Sequence, residues 1–124
     1  MIHYVGIDIM EINRVERAMV RWGDRFLHRV YTEAELKQSH RKPSSLAARF
    51  ASKEAVMKLL GTGKNGIGWR DIETLSEPSG KPSVHLCGKA QAQAKSLGID
   101  RLAISLSHSR EYTIACIIGD NKVS

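Results

Sequence analysis

Apolar and polar positions follow different rhythms along this chain of 124 residues. Residues 2–9 are β-branched and aromatic around one glycine, which predicts a strand whose backbone is closely approached at Gly6, with Asp8 near its C-terminal end. From residue 11 the period becomes helical: Ile12, Val15, Met19 and Trp22 predict a buried stripe that ends or kinks at Gly23-Asp24. Thr32-Glu33-Ala34-Glu35 has the spacing of a capping box, so a short helix is expected over 33–40. The longest periodic run follows Pro43. There Leu46, Phe50, Met57 and Leu60 form a core stripe, Ser44 or Ser45 stands where a cap is needed, and Gly61 can end the helix in a left-handed conformation. On a neighbouring face Ala47, Ala51, Glu54 and Lys58 follow one another, small at first and then charged.

Residues 61–68 contain four glycines and predict a loop. Strand-like composition resumes over 69–75, and Pro78-Ser79-Gly80-Lys81-Pro82 predicts a turn into a second strand at 83–86, making a hairpin. An alanine-rich stretch at 88–97 with Gly98 behind it predicts a helix, and 101–106 and 112–118 are the last strands. Helices gathered early and strands mostly late imply an α+β fold: one small domain over 1–124, an antiparallel sheet packed with a long central helix.

Composition narrows the class. The chain carries a formal charge of +6 with 42% hydrophobic residues, an ordinary globular balance whose basic excess favours an anionic partner: nucleic acid, a phosphorylated cofactor or an acidic protein. No apolar run nears the roughly 18 residues that span a bilayer. The first residues lack a basic leader, and a cytoplasmic location without membrane attachment is expected. Cys87 and Cys116 are far apart, which points to buried free thiols and not to a disulfide or zinc site. Arg14, Arg17, Arg21 and Arg25 recur at spacings of three and four with little acidic relief. This stripe suits a small RNA-binding module, but the few aromatic residues form no stacking cluster, so no nucleic-acid partner is expected.

Glu54 and Lys58 taken alone are an i, i+4 pair of a solvated face. Asp8 on its strand and Glu54 on its helix can also converge as two oxygen ligands of a hard cation such as magnesium, which takes its remaining ligands from water and phosphate. Gly61-Thr62-Gly63-Lys64 is not a P-loop, because Asn65 stands where Ser or Thr is required and a helix precedes it. Its backbone amides can still cradle phosphate. His108 between the last two strands can be a phosphate ligand, a base or a surface residue. No serine or cysteine sits in a nucleophile elbow, so the reacting nucleophile would come from a partner.

Gly6-Ile7-Asp8-Ile9-Met10-Glu11-Ile12-Asn13-Arg14, Phe50-Ala51-Ser52-Lys53-Glu54-Ala55 through Lys58, Gly61-Thr62-Gly63, Trp69-Arg70-Asp71-Ile72, Ser79-Gly80-Lys81-Pro82 and Leu106-Ser107-His108-Ser109 together resemble the holo-acyl-carrier-protein synthases, the short class of 4′-phosphopantetheinyl transferases. The blocks run in the family's order from residue 6 to beyond residue 112. The resemblance implies transfer of the 4′-phosphopantetheine arm of coenzyme A to a serine of apo acyl carrier protein, with release of adenosine 3′,5′-bisphosphate, in support of fatty acid biosynthesis. It implies Asp8 and Glu54 as magnesium ligands and Lys58 beside the pyrophosphate. Arg49, Gly61 and His108 fall where members contact coenzyme A, and Arg14, Arg17, Arg21 and Arg25 would dock the carrier. The base is left open among Glu54, Asp8 and a metal-organised water. It also implies a homotrimer with coenzyme A between subunits, Asp8 and the central helix on one and the strands of 101–118 on the next. Leu59 departs from the pattern, standing where the family usually has a small alanine.

Overall fold

The computed structural model describes residues 3–61 and 66–121. Strand β1 (Tyr4–Glu11) opens the chain, followed by helices α1 (Ile12–Trp22), α2 (Asp24–Val30), α3 (Glu33–Ser39) and α4 (Pro43–Leu60). A single 3₁₀ turn (Trp69–Asp71) leads into β2 (Ile72–Ser76), then β3 (Pro82–Leu86), α5 (Gly88–Ser96), β4 (Arg101–His108) and β5 (Tyr112–Asp120). The architecture is α+β, as expected.

Strands β1, β5 and β4 form one antiparallel sheet in that order, with Asp8 opposite Ala115 and Ala115 opposite Leu106; β2 and β3 form the separate hairpin. α4 lies across the sheet and supplies more of the core than any other element, burying Leu46, Ala47, Ala51, Ala55, Val56, Met57, Leu59 and Leu60. Its contact with β1 explains Gly6. A Cβ built there would stand 1.9 Å from the Ala55 carbonyl oxygen, so strand and helix backbones touch without a side chain between them. Leu59 fills the space beside this crossing, 4% exposed.

Side chains alternate across a strand, so Gly6, Asp8 and Met10 face α4 while Val5, Ile7 and Ile9 point the other way. β5 repeats the pattern with Thr113, Ala115 and Ile117 inward and Tyr112, Ile114 and Ile118 outward. The outer face is therefore apolar and uncovered: Val5, Ile7 and Ile9 are 60%, 57% and 58% exposed.

Several local expectations hold. The Thr32 hydroxyl accepts from the Glu35 amide and the Glu35 carboxylate from the Thr32 amide, completing the capping box. Gly61 closes α4 at φ 76°, donating to Met57 and Lys58 carbonyls. Others need correction. α4 begins at Pro43 in its first turn with Lys42 before it, and neither Ser44 nor Ser45 caps it; the Ser45 hydroxyl accepts from Arg49 instead. Asp8 is mid-strand, because β1 runs on to Glu11. Trp22 is 51% exposed, since the chain turns away at Gly23 and starts α2, an element the periodicity did not predict. The strand expected from 69 starts only after the 3₁₀ turn. Cys87 is exposed and Cys116 only partly buried, both as free thiols.

Candidate active site on the face of α4

The close crossing at Gly6 and Ala55 decides which side chains meet. Two residues further along the strand, Asp8 projects from the same face, and one turn further along the helix Lys58 reaches back to it. The Lys58 ammonium donates to Asp8 Oδ1 at 3.0 Å and to the Ile7 carbonyl at 3.2 Å. The Asp8 side chain is 13% exposed and that of Lys58 58%, so the carboxylate lies in the crevice and the ammonium at its rim. Glu54, one helical turn before Lys58, is half-buried and has no hydrogen-bond or ion-pair partner among the described residues.

These carboxylates suit a small hard cation. Asp8 already attracts a cationic group, Glu54, one helical turn from Lys58, is an oxygen donor with no polar partner among the described residues, and neither brings the nitrogen or sulfur that softer metals select. Among the described residues no three His, Cys, Asp or Glu side chains are gathered to hold a metal alone. A two-carboxylate set that leaves most positions to water and phosphate oxygens is the pattern magnesium uses.

The remaining predicted residues are dispersed. Gly61 is exposed at the end of α4, with nothing among the described residues within 4 Å of a built Cβ. Thr62, Gly63 and Lys64, the rest of the predicted phosphate loop, lie outside the described residues. His108 ends β4 opposite Thr113, which pairs with Met10 in turn; it shares the helix-facing side of the sheet with Asp8 but stands two strands away, about 10 Å across. Arg49 lies nine residues from Lys58, on the opposite side of α4. It is buried, donating from Nε to the Thr74 carbonyl (3.1 Å), from Nη2 to Gln38 Oε1 (3.1 Å) and from Nη1 to Ser45. Burial lowers its pKa from the usual guanidinium range, partly offset by Glu35.

Arg14, Arg17 and Arg21 are exposed along α1, whereas Arg25 belongs to α2, beyond the break at Gly23. None of the four is in an ion pair among the described residues. The Arg21 guanidinium lies over the Trp22 ring, 4.9 Å from its centroid. The break at Gly23 also creates a feature that sequence reading missed: a cavity of about 480 Å³ lined by Trp22, Arg25, Phe26, Arg29, Phe50 and Trp69, with the Phe50 and Trp69 rings 4.9 Å apart. A kinked pair of helices, which Gly23-Asp24 signalled, was the available clue.

The larger omission is beneath α4. Lys53, which neighbours Glu54 in sequence, is wholly buried and donates to Glu35 Oε1 at 2.7 Å, to the Trp69 carbonyl at 3.0 Å and to the Ile72 carbonyl. Burial lowers its pKa while Glu35 raises it. The two charges lie on different helices, and only the tertiary fold joins them.

With this geometry in place, comparison with known proteins is decisive. The sequence model of the 4′-phosphopantetheinyl transferase superfamily matches residues 4–117. The chain belongs to that superfamily. A holo-[acyl-carrier-protein] synthase of Dehalococcoides mccartyi is 51% identical over 118 residues, covering 95% of this chain and 98% of the relative. One from Herpetosiphon aurantiacus is 46% identical over 121 residues, covering 92% and 95%. The crystal structure of Helicobacter pylori holo-[acyl-carrier-protein] synthase in complex with coenzyme A superposes with a TM-score of 0.85 at 31% identity, covering 94% of this chain and 99% of that one. For this phosphopantetheinyl transferase superfamily member, the resemblance read from the motifs and the fold agree.

Proposed function

We propose that the chain is a holo-[acyl-carrier-protein] synthase: it transfers the 4′-phosphopantetheine arm of coenzyme A to a serine of apo acyl carrier protein and releases adenosine 3′,5′-bisphosphate. The observation that carries the reading is the Asp8–Lys58 contact, with Glu54 one helical turn from Lys58 and without a polar partner among the described residues, in a chain whose relatives at about half identity bear that name. Incubation with coenzyme A, a magnesium salt and apo carrier protein should add one phosphopantetheine to the carrier by mass spectrometry. An unmodified carrier would refute the assignment.

In this reading the serine oxygen attacks the phosphorus that bears the pantetheine arm, and the P–O bond to the adenosine bisphosphate breaks, so charge grows on the departing phosphate. Asp8 and Glu54 would hold magnesium, which when bound polarises the pyrophosphate and neutralises that charge. Lys58, exposed at the rim, exchanges a bond to Asp8 or Ile7 for a phosphate oxygen and shares the same load. Gly61 offers open backbone at the loop's start. The serine proton leaves through a water organised beside the carboxylates, since a carboxylate engaged with a cation is a weak base. The assigned work is cytoplasmic carrier activation for fatty acid biosynthesis; no helix among the described residues is long and apolar enough to cross a membrane.

The uncovered sheet face supports a homotrimer with coenzyme A between subunits. Exposed Val5, Ile7, Ile9, Ile114 and Ile118 form a contiguous apolar surface of the sort that marks an interface between copies. His108, remote from Asp8 within one chain, would then serve a neighbour's coenzyme A. Arg49, its donors engaged internally, would act there chiefly by shaping the surface around Ser45 and Gln38. Light scattering should give three times the mass of one chain, and Ile7→Lys should yield inactive smaller species. An active monomer at assay concentration would defeat the trimer.

Arg14, Arg17, Arg21 and Arg25, exposed and in no ion pair among the described residues, are assigned to dock an acidic carrier. Their field decays over about 10 Å at 0.1 M salt, so the carrier KM should rise with ionic strength. Arg14→Glu or Arg21→Glu should raise that KM about tenfold, ~1.4 kcal/mol, with kcat much less affected. If the reversals leave KM and its salt dependence unchanged, the carrier docks elsewhere.

A further inference from the structure

Helix α4 leans on the sheet through a side chain that the reaction above does not use. Leu59, the departure from the motif, follows Lys58 directly and is 4% exposed. Its Cβ lies 3.0 Å from where a Cβ would be built on Gly6, and its Cδ1 lies 3.4 Å from the corresponding point on Gly119. The side chain therefore runs from β1 to β5 across two glycines that face the helix. They are diagonal neighbours in the sheet, because Gly6 pairs with Ile117 and Gly119 follows two residues later on the same face. Gly119 has no positive φ that would call for glycine. What it provides is room: a Cβ there would meet the side chains of Ile99, Leu102 and Leu59 at 3.1, 3.2 and 3.4 Å. Leu59 fills a socket walled by Ile99 and Leu102, and Gly119 is its floor.

α4 thus meets the sheet in two different ways. On β1 the contact is backbone on backbone, Ala55 against Gly6; on β5 it is the tip of Leu59 over Gly119. Lys58, the next residue back, bonds to β1 alone, through the Asp8 carboxylate and the Ile7 carbonyl. A helix resting on one strand can roll about that contact, and a second support on the neighbouring strand removes the freedom. Interiors are close-packed, so shortening Leu59 leaves a cavity that its surroundings relax to fill only in part. Rolling α4 toward β5 closes that cavity, and the same motion carries Lys58 off β1 and away from Asp8.

We propose that Leu59, seated over Gly119, is a positioning residue: it sets the roll of α4 against the sheet, and with it the reach of Lys58 to Asp8 and to the pyrophosphate of coenzyme A. This rests on the reading of the Asp8, Glu54 and Lys58 face as the coenzyme A site. Leu59 itself lies in the core and touches no substrate.

The test moves the bulk from helix to strand. Leu59→Ala empties the socket, and Leu59→Ala/Gly119→Val refills it from the floor with the same amount of hydrocarbon. Studied well below its melting temperature, Leu59→Ala should bind coenzyme A about tenfold more weakly in calorimetry without carrier. Its kcat/KM for coenzyme A should fall about tenfold or more, and its carrier KM should change less than about twofold. The double variant should recover most of the affinity and of kcat/KM. A folded Leu59→Ala protein with wild-type affinity and kcat/KM would make Leu59 ordinary core filling and overturn the proposal. A double variant that regains its melting temperature but neither kinetic nor binding constant would overturn it too, because support at Gly119 would then not set the geometry. Should Leu59→Ala not fold, Leu59→Val, which shortens the tip less, is read by the same measurements, with losses of about threefold expected and none overturning the proposal. Wild-type protein that neither binds coenzyme A nor transfers its arm overturns the functional reading and the proposal with it.

Discussion

Asp8→Ala and Glu54→Ala are each expected to reduce transfer by about a thousandfold or more while leaving the fold intact. The expectation follows from where the two carboxylates spend their interactions. Asp8 has one ion-pair partner, the largely exposed Lys58, and pairs with such an exposed member contribute little to stability. Glu54 has no hydrogen-bond or ion-pair partner among the described residues, so removing it deletes no such bond there. Neither variant should lower the melting temperature by more than a few degrees. Both should lose the divalent-metal dependence that the proposed pair confers. Wild-type activity should vanish in chelator and return with added magnesium, whereas the residual rate of each variant should ignore both. A variant that retains the full wild-type rate, or a wild type indifferent to chelator, would remove the metal from these residues. Lys58→Met is the informative companion: it frees Asp8 without altering either carboxylate, so metal dependence should persist while kcat falls.

The division between what could be read from the sequence and what could not follows the range of the interactions. The capping box at Thr32 and Glu35, the stop at Gly61 and the hairpin around Gly80 are decided within a few residues, and pattern suffices for them. Asp8, Glu54 and Lys58 were visible because a strand and a helix of recognisable period carry them, and because the spacing matched a family motif. The Glu35–Lys53 pair joins residues 18 apart through tertiary packing, and isolated charges on helices ordinarily face water, so nothing local marked it. α2 escaped because seven residues offer too short a window for periodicity, and Gly23 at φ 55° redirects the chain just as the α1 stripe reaches Trp22. The sheet misleads in a different way. Alternation identifies Val5, Ile7 and Ile9 as one face of β1, and the usual rule would bury them. The structure turns the opposite set, Gly6, Asp8 and Met10, toward α4 and leaves the apolar set exposed.

Among the described glycines, Gly6→Ala is expected to be the most destabilising substitution. The added methyl would sit 1.9 Å from the Ala55 carbonyl oxygen and 2.8 Å from its carbon, inside any permissible contact, and both obstacles are helix backbone. A side chain could rotate away; α4 cannot, because it is pinned by buried Leu46, Val56, Met57 and Leu60 on its other sides. β1 must therefore move off the helix, opening the core that Leu59 and Ala55 fill. Overpacking against backbone that cannot give way costs about 3 kcal/mol, a large share of the roughly 5–15 kcal/mol that holds a domain together. A melting temperature lower by about 10 °C or more should result. Gly119 provides the control, since a Cβ there meets Ile99 and Leu102 side-chain methyls at 3.1 and 3.2 Å, which can give way. Gly119→Ala should melt within a few degrees of the wild type. Function should fail ahead of the fold. Asp8 is two residues from the displaced point and on the same face, so lifting β1 draws its carboxylate away from Lys58. Gly6→Ala assayed well below its melting temperature should then lose at least about tenfold in kcat/KM while remaining folded. A variant that melts with the wild type and keeps its kcat/KM would show that strand and helix are not in backbone contact at Gly6, and would remove the geometric basis for bringing Asp8 to Lys58.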